Sequence, residues 1–317
     1  MDKEKDKKGK QKREKHIWAI AGGKGGIGKS FVTANLGIAL CERGKRVIVV
    51  DADLGAANLH TLLGVPQPPL SLDDFIRRGM RNIKAALTET GIPNLQLIAG
   101  VHDILTLSNP KQGLKQKIMR HISSLDADHI IVDLGTGMSP HVFDFFLISE
   151  NGIFLVTPEP TSLENAYRFI RGVFFRRWMN MTTNNNVKKI IETAMDGNNP
   201  EGIKTPSDLL AQVGKVDKET ATIFKKGMST FRPRLIINQA RNRKEAELGF
   251  AVRSVCRKYF GIELSFLGHI LYDHNVYLSV QRGRAFFSDY PSSDVAECIR
   301  DIAVRLSDGK GLEWSLS

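Results

Sequence analysis

The sequence predicts an α/β protein built on a doubly wound, mostly parallel sheet flanked by helices. Three observations carry this expectation. Short apolar segments alternate along the chain with stretches whose apolar residues fall at helical spacing, the pattern of repeated strand–helix–strand units. A glycine-rich loop joins the first such strand to the first such helix. Acidic residues close two later strands at their carboxyl ends, where open α/β sheets bind ligands. The chain has 317 residues, 42% hydrophobic and 25% charged, which is enough for a large core.

The first strand is the short apolar segment from His16 to Ala21, and the first helix runs through Phe31 to Glu42. Between them, Gly23, Lys24, Gly25, Gly26, Ile27, Gly28, Lys29 and Ser30 fit the phosphate-binding pattern G-x-x-x-x-G-K-[ST]. Glycines let successive backbone N–H groups turn inward around a triphosphate. The helix that follows adds the positive end of its dipole. Lys29 is expected to reach the β- and γ-phosphates, and the Ser30 hydroxyl to bind Mg²⁺.

The second strand, Val47 to Val50, is a continuous β-branched run, as suits a strand covered on both faces. Asp51 and Asp53 follow it and share one side of an extended chain. Asp133 ends the run His129-Ile130-Ile131-Val132 and precedes the flexible Leu134-Gly135-Thr136-Gly137. Three acids at strand ends near one phosphate loop suggest a site that holds Mg²⁺ and positions a water. Strand-end capping is the plainer reading for any one of them.

The loop with its second lysine, Lys24, resembles the deviant Walker A of the MinD/ParA ATPases. Asp51-Ala52-Asp53-Leu54-Gly55-Ala56-Ala57-Asn58 is similar to that family's second acidic motif, and most of all to the flagellar-number regulators FlhG/FleN. Val156 to Ser162, Leu235-Ile236-Ile237-Asn238, Asp273-His274-Asn275-Val276 and Pro291-Ser292-Ser293 echo later family segments. The resemblance covers roughly residues 17–175 and 232–306. It implies a P-loop NTPase fold of the SIMIBI type that binds ATP and Mg²⁺ and hydrolyses ATP slowly, with partner stimulation. Lys24 would cross a homodimer interface to the partner's phosphates, and Asp53 would activate the attacking water. Asp51 and Asp133 would hold Mg²⁺ through its waters. Asn238 would read the adenine edge, with Phe31, Tyr272 and Asp273 also at the nucleotide. Asn58 is either a switch-loop residue or an ordinary helix N-cap.

Residues 16–307 are expected to form one ATPase domain, with 1–15 a disordered basic tail and 308–317 a flexible one. The chain carries a formal charge of +11. The N-terminal tail holds eight basic and four acidic side chains and no apolar residue besides Met1, so it is a solvated arm or a contact for nucleic acid or anionic lipid. A second basic zone, Arg168, Arg171, Arg176 and Arg177, is extended by Arg232, Arg234, Arg241, Arg243 and Lys244. It is either a non-specific DNA face or, by the spacing of Phe174 and Trp178, the flank of a buried helix face. Residues 179–231 read as a helical insertion, with helices through Val187–Ala194 and Leu209–Phe224.

The end of the chain offers too few turns for an interfacial helix, so weak or absent membrane binding is expected. No apolar run spans a bilayer and no secretory signal leads the chain, which points to the cytoplasm of a bacterial cell, with transient membrane or nucleoid association left open. Cys41, Cys256 and Cys298 form no C-x-x-C, which speaks against iron–sulfur carriers. His269 and His274 lack a common metal-ligand spacing. A dimerising switch that positions or counts a cellular structure is therefore expected first and a ParA-type DNA-associated ATPase second. A metabolic enzyme comes last, because no second-substrate motif is visible.

Overall fold

The computed structural model describes residues 15–53, 57–100, 112–149, 151–196, 202–203 and 205–312. Eight strands form one sheet among these residues: β1 (His16–Ala21), β2 (Val47–Ala52), β3 (Leu87–Glu89), β4 (Leu95–Ile98), β5 (His129–Leu134), β6 (Ile153–Val156), β7 (Arg234–Ala240) and β8 (Ser265–Leu271). Their order is β3-β4-β2-β5-β1-β6-β7-β8. Every neighbouring pair is parallel except β3 and β4 at one edge. The expected doubly wound α/β architecture is what is found.

Burial explains why β2 reads as an unbroken β-branched run. Val47 and Val49 enter the core beneath the helices Lys29–Glu42 and Asp294–Asp308, whereas Ile48 and Val50 enter the core on the other face. A strand sandwiched between helix layers needs apolar side chains on both sides. The connections go to both sides of β1, which lies between β5 and β6. The crevice at the carboxyl end of β1 is thus the topological switch point, and the glycine loop falls there.

The helix Pro160–Met181 buries Phe169, Phe174, Phe175 and Trp178. Three further helices, Asn185–Met195, Pro206–Val216 and Lys218–Thr230, follow it. They are joined to the main core by Val187, Ile191, Leu209, Val213 and Phe224, and the Phe224 ring stacks on Trp178 at 4.6 Å. The run Leu209–Phe224, expected to be helical, lies in two successive helices. Asp217 ends the first and caps the second, accepting the Thr220 N–H at 2.9 Å. A short polar side chain that satisfies an orphan N–H at a new helix start outweighs continued helical periodicity.

The arginine zone has structural partners. Arg176 pairs with buried Asp144 at 2.7 Å, and Lys115 meets the same carboxylate at 2.7 Å. Arg171 donates to the Ala194 carbonyl, Arg177 to Thr230 Oγ1 and Arg168 to Glu164. Arg232 and Arg234 lie at the amino end of β7, whereas Arg241, Arg243 and Lys244 follow its carboxyl end. Seven strand residues, roughly 20 Å, separate these groups, so the basic residues do not form one face.

At the chain's end, Leu312 N–H donates to Phe266 O at 2.6 Å. Residues 309–312, expected in a flexible tail, therefore run against β8. Leu54–Ala56, Trp314, Leu316 and the basic tail up to residue 14 lie outside the described residues. No described helix is long and apolar enough to cross a membrane.

Candidate functional site

The glycine loop turns from β1 into the helix Lys29–Glu42 at Gly28, whose φ of +88° is left-handed and strains any residue with a Cβ. The space is closed as well: a Cβ on Gly28 would stand 2.5 Å from Asn238 Nδ2. That amide nitrogen donates to the Ile27 carbonyl at 2.8 Å. Asn238, expected to read a base, is seen here holding the glycine loop in shape. Ile27 and Phe31 turn their side chains into the core, Phe31 edge-on to Phe286 at 5.4 Å. What they can present at the loop is therefore backbone N–H. Gly23 packs against Asn165 of the long helix, whereas Gly25 and Gly26 are exposed at the loop's tip.

Lys29 is 7% exposed. Burial lowers its pKa against the opposing pull of Asp133 and Asp53. Asp51 and Asp133 are direct neighbours in the β2–β5 register. Burial, then the Asp133 charge, pushes the Asp51 carboxyl up to about 8. Burial raises Asp133 to about 6, although hydrogen bonds from Ser30 and Thr33 and the Lys29 charge favour its ionised form. Two buried carboxylates side by side, with a helix-borne hydroxyl on one of them, form a donor set suited to a hard divalent cation. These residues fit Mg²⁺.

Asp51 has a second role that capping chemistry explains. Its Oδ1 accepts the Asp53 N–H at 3.1 Å and its Oδ2 the Leu59 N–H at 3.0 Å. The segment after β2 is thereby tied to the strand end. Asn58 occupies the N-cap position of the helix Leu59–Leu62, yet its side chain does not cap it; Asp51 takes an N–H there instead. Asp53 faces the loop after β5: a Cβ on Gly135 would lie 2.9 Å from its Oδ1.

Lys24 is paired within its own chain. Its Nζ lies 2.9 Å from Glu159 Oε2, with the two side chains 46% and 55% exposed. Asp273 caps the helix His274–Gln281 through the Asn275 N–H at 2.8 Å. Tyr272 is half exposed, with the Arg241 guanidinium 4.9 Å above its ring. Sequence reasoning assigned no role to Thr33, whose buried hydroxyl donates to Asp133 Oδ1 at 3.2 Å. Its position one turn after Ser30 was the available signal. It also assigned none to Glu159, although the strand-end segment Val156–Ser162 was in view. Among the described residues, no group of three or more His, Cys, Asp or Glu makes a separate metal centre.

A glycine cradle at the switch point, a buried lysine and a cross-strand carboxylate pair define a nucleotide-binding protein of the phosphate-loop class. The chain belongs to the CobQ/CobB/MinD/ParA nucleotide binding domain family, whose model matches residues 18–286, and is accordingly an ATPase. The antiactivator FleN of Pseudomonas aeruginosa is 28% identical over 295 residues, covering 92% of this chain and 85% of FleN. The flagellum site-determining protein YlxH of Helicobacter pylori is 33% identical over 155 residues, 48% of this chain and 52% of that protein. The solved septum site-determining protein MinD of Pyrococcus horikoshii, complexed with Mg-ADP, superposes with a TM-score of 0.62. It is 23% identical and covers 92% of this chain and 96% of its own, a likeness that speaks for the fold.

Proposed function

We infer that this chain is a Mg·ATP-dependent dimerisation switch of the MinD/FlhG type, which sets the number or position of a cellular structure such as a flagellum or a division site. Similarity to FleN along nearly the whole chain supports the branch. One observation supports the switch. Lys24 is held on Glu159 at the surface instead of turning into its own phosphate cradle, so a second subunit can receive it.

In this reading the loop N–H groups and Lys29 bind the phosphates, while Ser30, Asp51 and Asp133 hold Mg²⁺. When bound there, the metal would supply neutralisation of phosphate charge. Asn238 supports the loop and meets the adenine, with Tyr272 and Asp273 at the base side. Asp53 orients the attacking water. Lys24 of each protomer leaves Glu159 for the partner's phosphates and completes the positive charge there. Loss of the γ-phosphate then removes what held the halves together. Turnover is slow and stimulated by a protein partner, and the protein works from the cytoplasm with little membrane affinity of its own.

Asp53→Ala is expected to keep Mg·ATP and accumulate a dimer without phosphate release, as read by light scattering and a phosphate assay. A variant that turns over at the parental rate would defeat the assignment. The ParA-type reading rests on the +11 charge. The internal pairing of Arg168, Arg171, Arg176 and Arg177 weighs against it. Co-sedimentation with DNA in ATP but not ADP would favour it instead.

A further inference from the structure

At the amino ends of β7 and β8, the described residues surround a cavity of about 740 Å³ lined by Arg232, Arg234, Arg253, Glu263, Ser265 and Leu312, among others. Among the described residues, Arg234 and Arg253 bring two guanidiniums to the lining beside Glu263, and Glu263 already pairs with Arg257 at 3.2 Å. Some four strand residues, roughly 13 Å, separate Arg234 from Asn238 at the phosphate loop. The cavity is therefore apart from the nucleotide site.

Arg234 is the informative side chain. Its Nη1 is buried and finds no hydrogen-bond partner among the described residues. Its guanidinium lies 5.7 Å over the Trp18 ring, and Trp18 stacks in turn on His129 at 4.7 Å. This base fixes where the fork points, and burial pushes the Arg234 pKa down. A buried guanidinium N–H without an acceptor is costly. Arg253 is anchored too, its Nη1 donating to the Leu312 carbonyl at 3.1 Å. The neighbouring Leu312 N–H bond to Phe266 O then makes the chain's last described residues a wall of the cavity.

Held guanidinium forks match the oxygens of a phosphate better than lysine ammoniums do, because they are planar, weakly hydrated and bidentate. The cavity is also larger than a bare phosphate requires. We propose that Arg234 and Arg253 form a second anion site, separate from the ATP site, that takes the phosphate group of a small molecule or free inorganic phosphate.

The test is a titration of full-length protein with inorganic phosphate and, in a parallel arm, with glucose 6-phosphate. Tryptophan emission is followed, because Trp18 lies directly beneath Arg234. Saturable binding is expected in the parent and in Lys29→Ala, with Arg234→Gln and Arg253→Gln each weakening it about ten-fold or more. Tighter binding of the sugar phosphate would identify an esterified ligand, and equal or tighter binding of inorganic phosphate would identify the free ion. Arg253 is only half buried, so its variant keeps the test open should Arg234→Gln fold poorly. Absence of saturation by about 10 mM of either compound, or binding lost in Lys29→Ala and untouched by both arginine changes, would overturn the proposal.

Discussion

Replacing Asn238 with alanine separates two ways in which this residue can serve the nucleotide. In the structure its amide donates to the Ile27 carbonyl at 2.8 Å, and both residues are 3% exposed. The substitution leaves that carbonyl buried without its donor, at a cost of about 1–3 kcal/mol. The loop's shape for phosphate depends on the same contact, so affinity should fall by roughly 5- to 150-fold. A loop defect does not depend on the base. Isothermal titration with Mg·ATP and Mg·GTP, on parent and variant, should therefore show comparable fold-losses for both nucleotides. A loss confined to ATP, with GTP unchanged, would refute the role in loop support and leave only a base contact.

Asp144→Ala strands Lys115 and Arg176, and breaking a buried pair costs about 3–5 kcal/mol; the melting midpoint of a chain this long should drop by roughly 5–8 °C in calorimetry. His129 is buried and stays neutral in the fold, its pKa lowered to about 4 by burial and then by the His16 and Lys45 charges. The unfolded chain takes up that proton below about pH 6.5 and the native one only near pH 4, so stability falls across this window by about 3 kcal/mol. Urea unfolding of His129→Phe should show a correspondingly shallower decline between pH 7 and 4.5. Lys24→Ala should abolish the ATP-induced dimer in light scattering, whereas Glu159→Gln should leave the melting midpoint within a degree or two, because an exposed ion pair contributes little.

Much of the phosphate site is legible in the chain because its parts are contiguous. Gly23 to Ser30 is one short segment, and its glycines and lysine state their chemistry locally. Asp51 and Asp133 could be picked out singly, since each ends an apolar run. Their adjacency was not legible, because it is a property of the β2–β5 register. The insertion shows the same limit at closer range. Apolar spacing marks Leu209–Phe224 as helical, and the break at Asp217 follows from a cap that competes locally with that period. The arginines of the long helix were ambiguous for a different reason: charge alone does not say whether a guanidinium faces solvent or a buried acid such as Asp144.

By itself, then, the amino-acid order determined the layered α/β class, the phosphate loop and the acids at its strand ends, because side-chain period and backbone freedom are encoded within a few neighbouring residues. Only the folded chain decided that Asn238 braces a loop 211 residues away, that Thr33 bonds Asp133 and that Lys24 rests on Glu159. Such partnerships are set by how strands register and helices pack, and local spacing carries no record of which distant group arrives at the other end of a hydrogen bond.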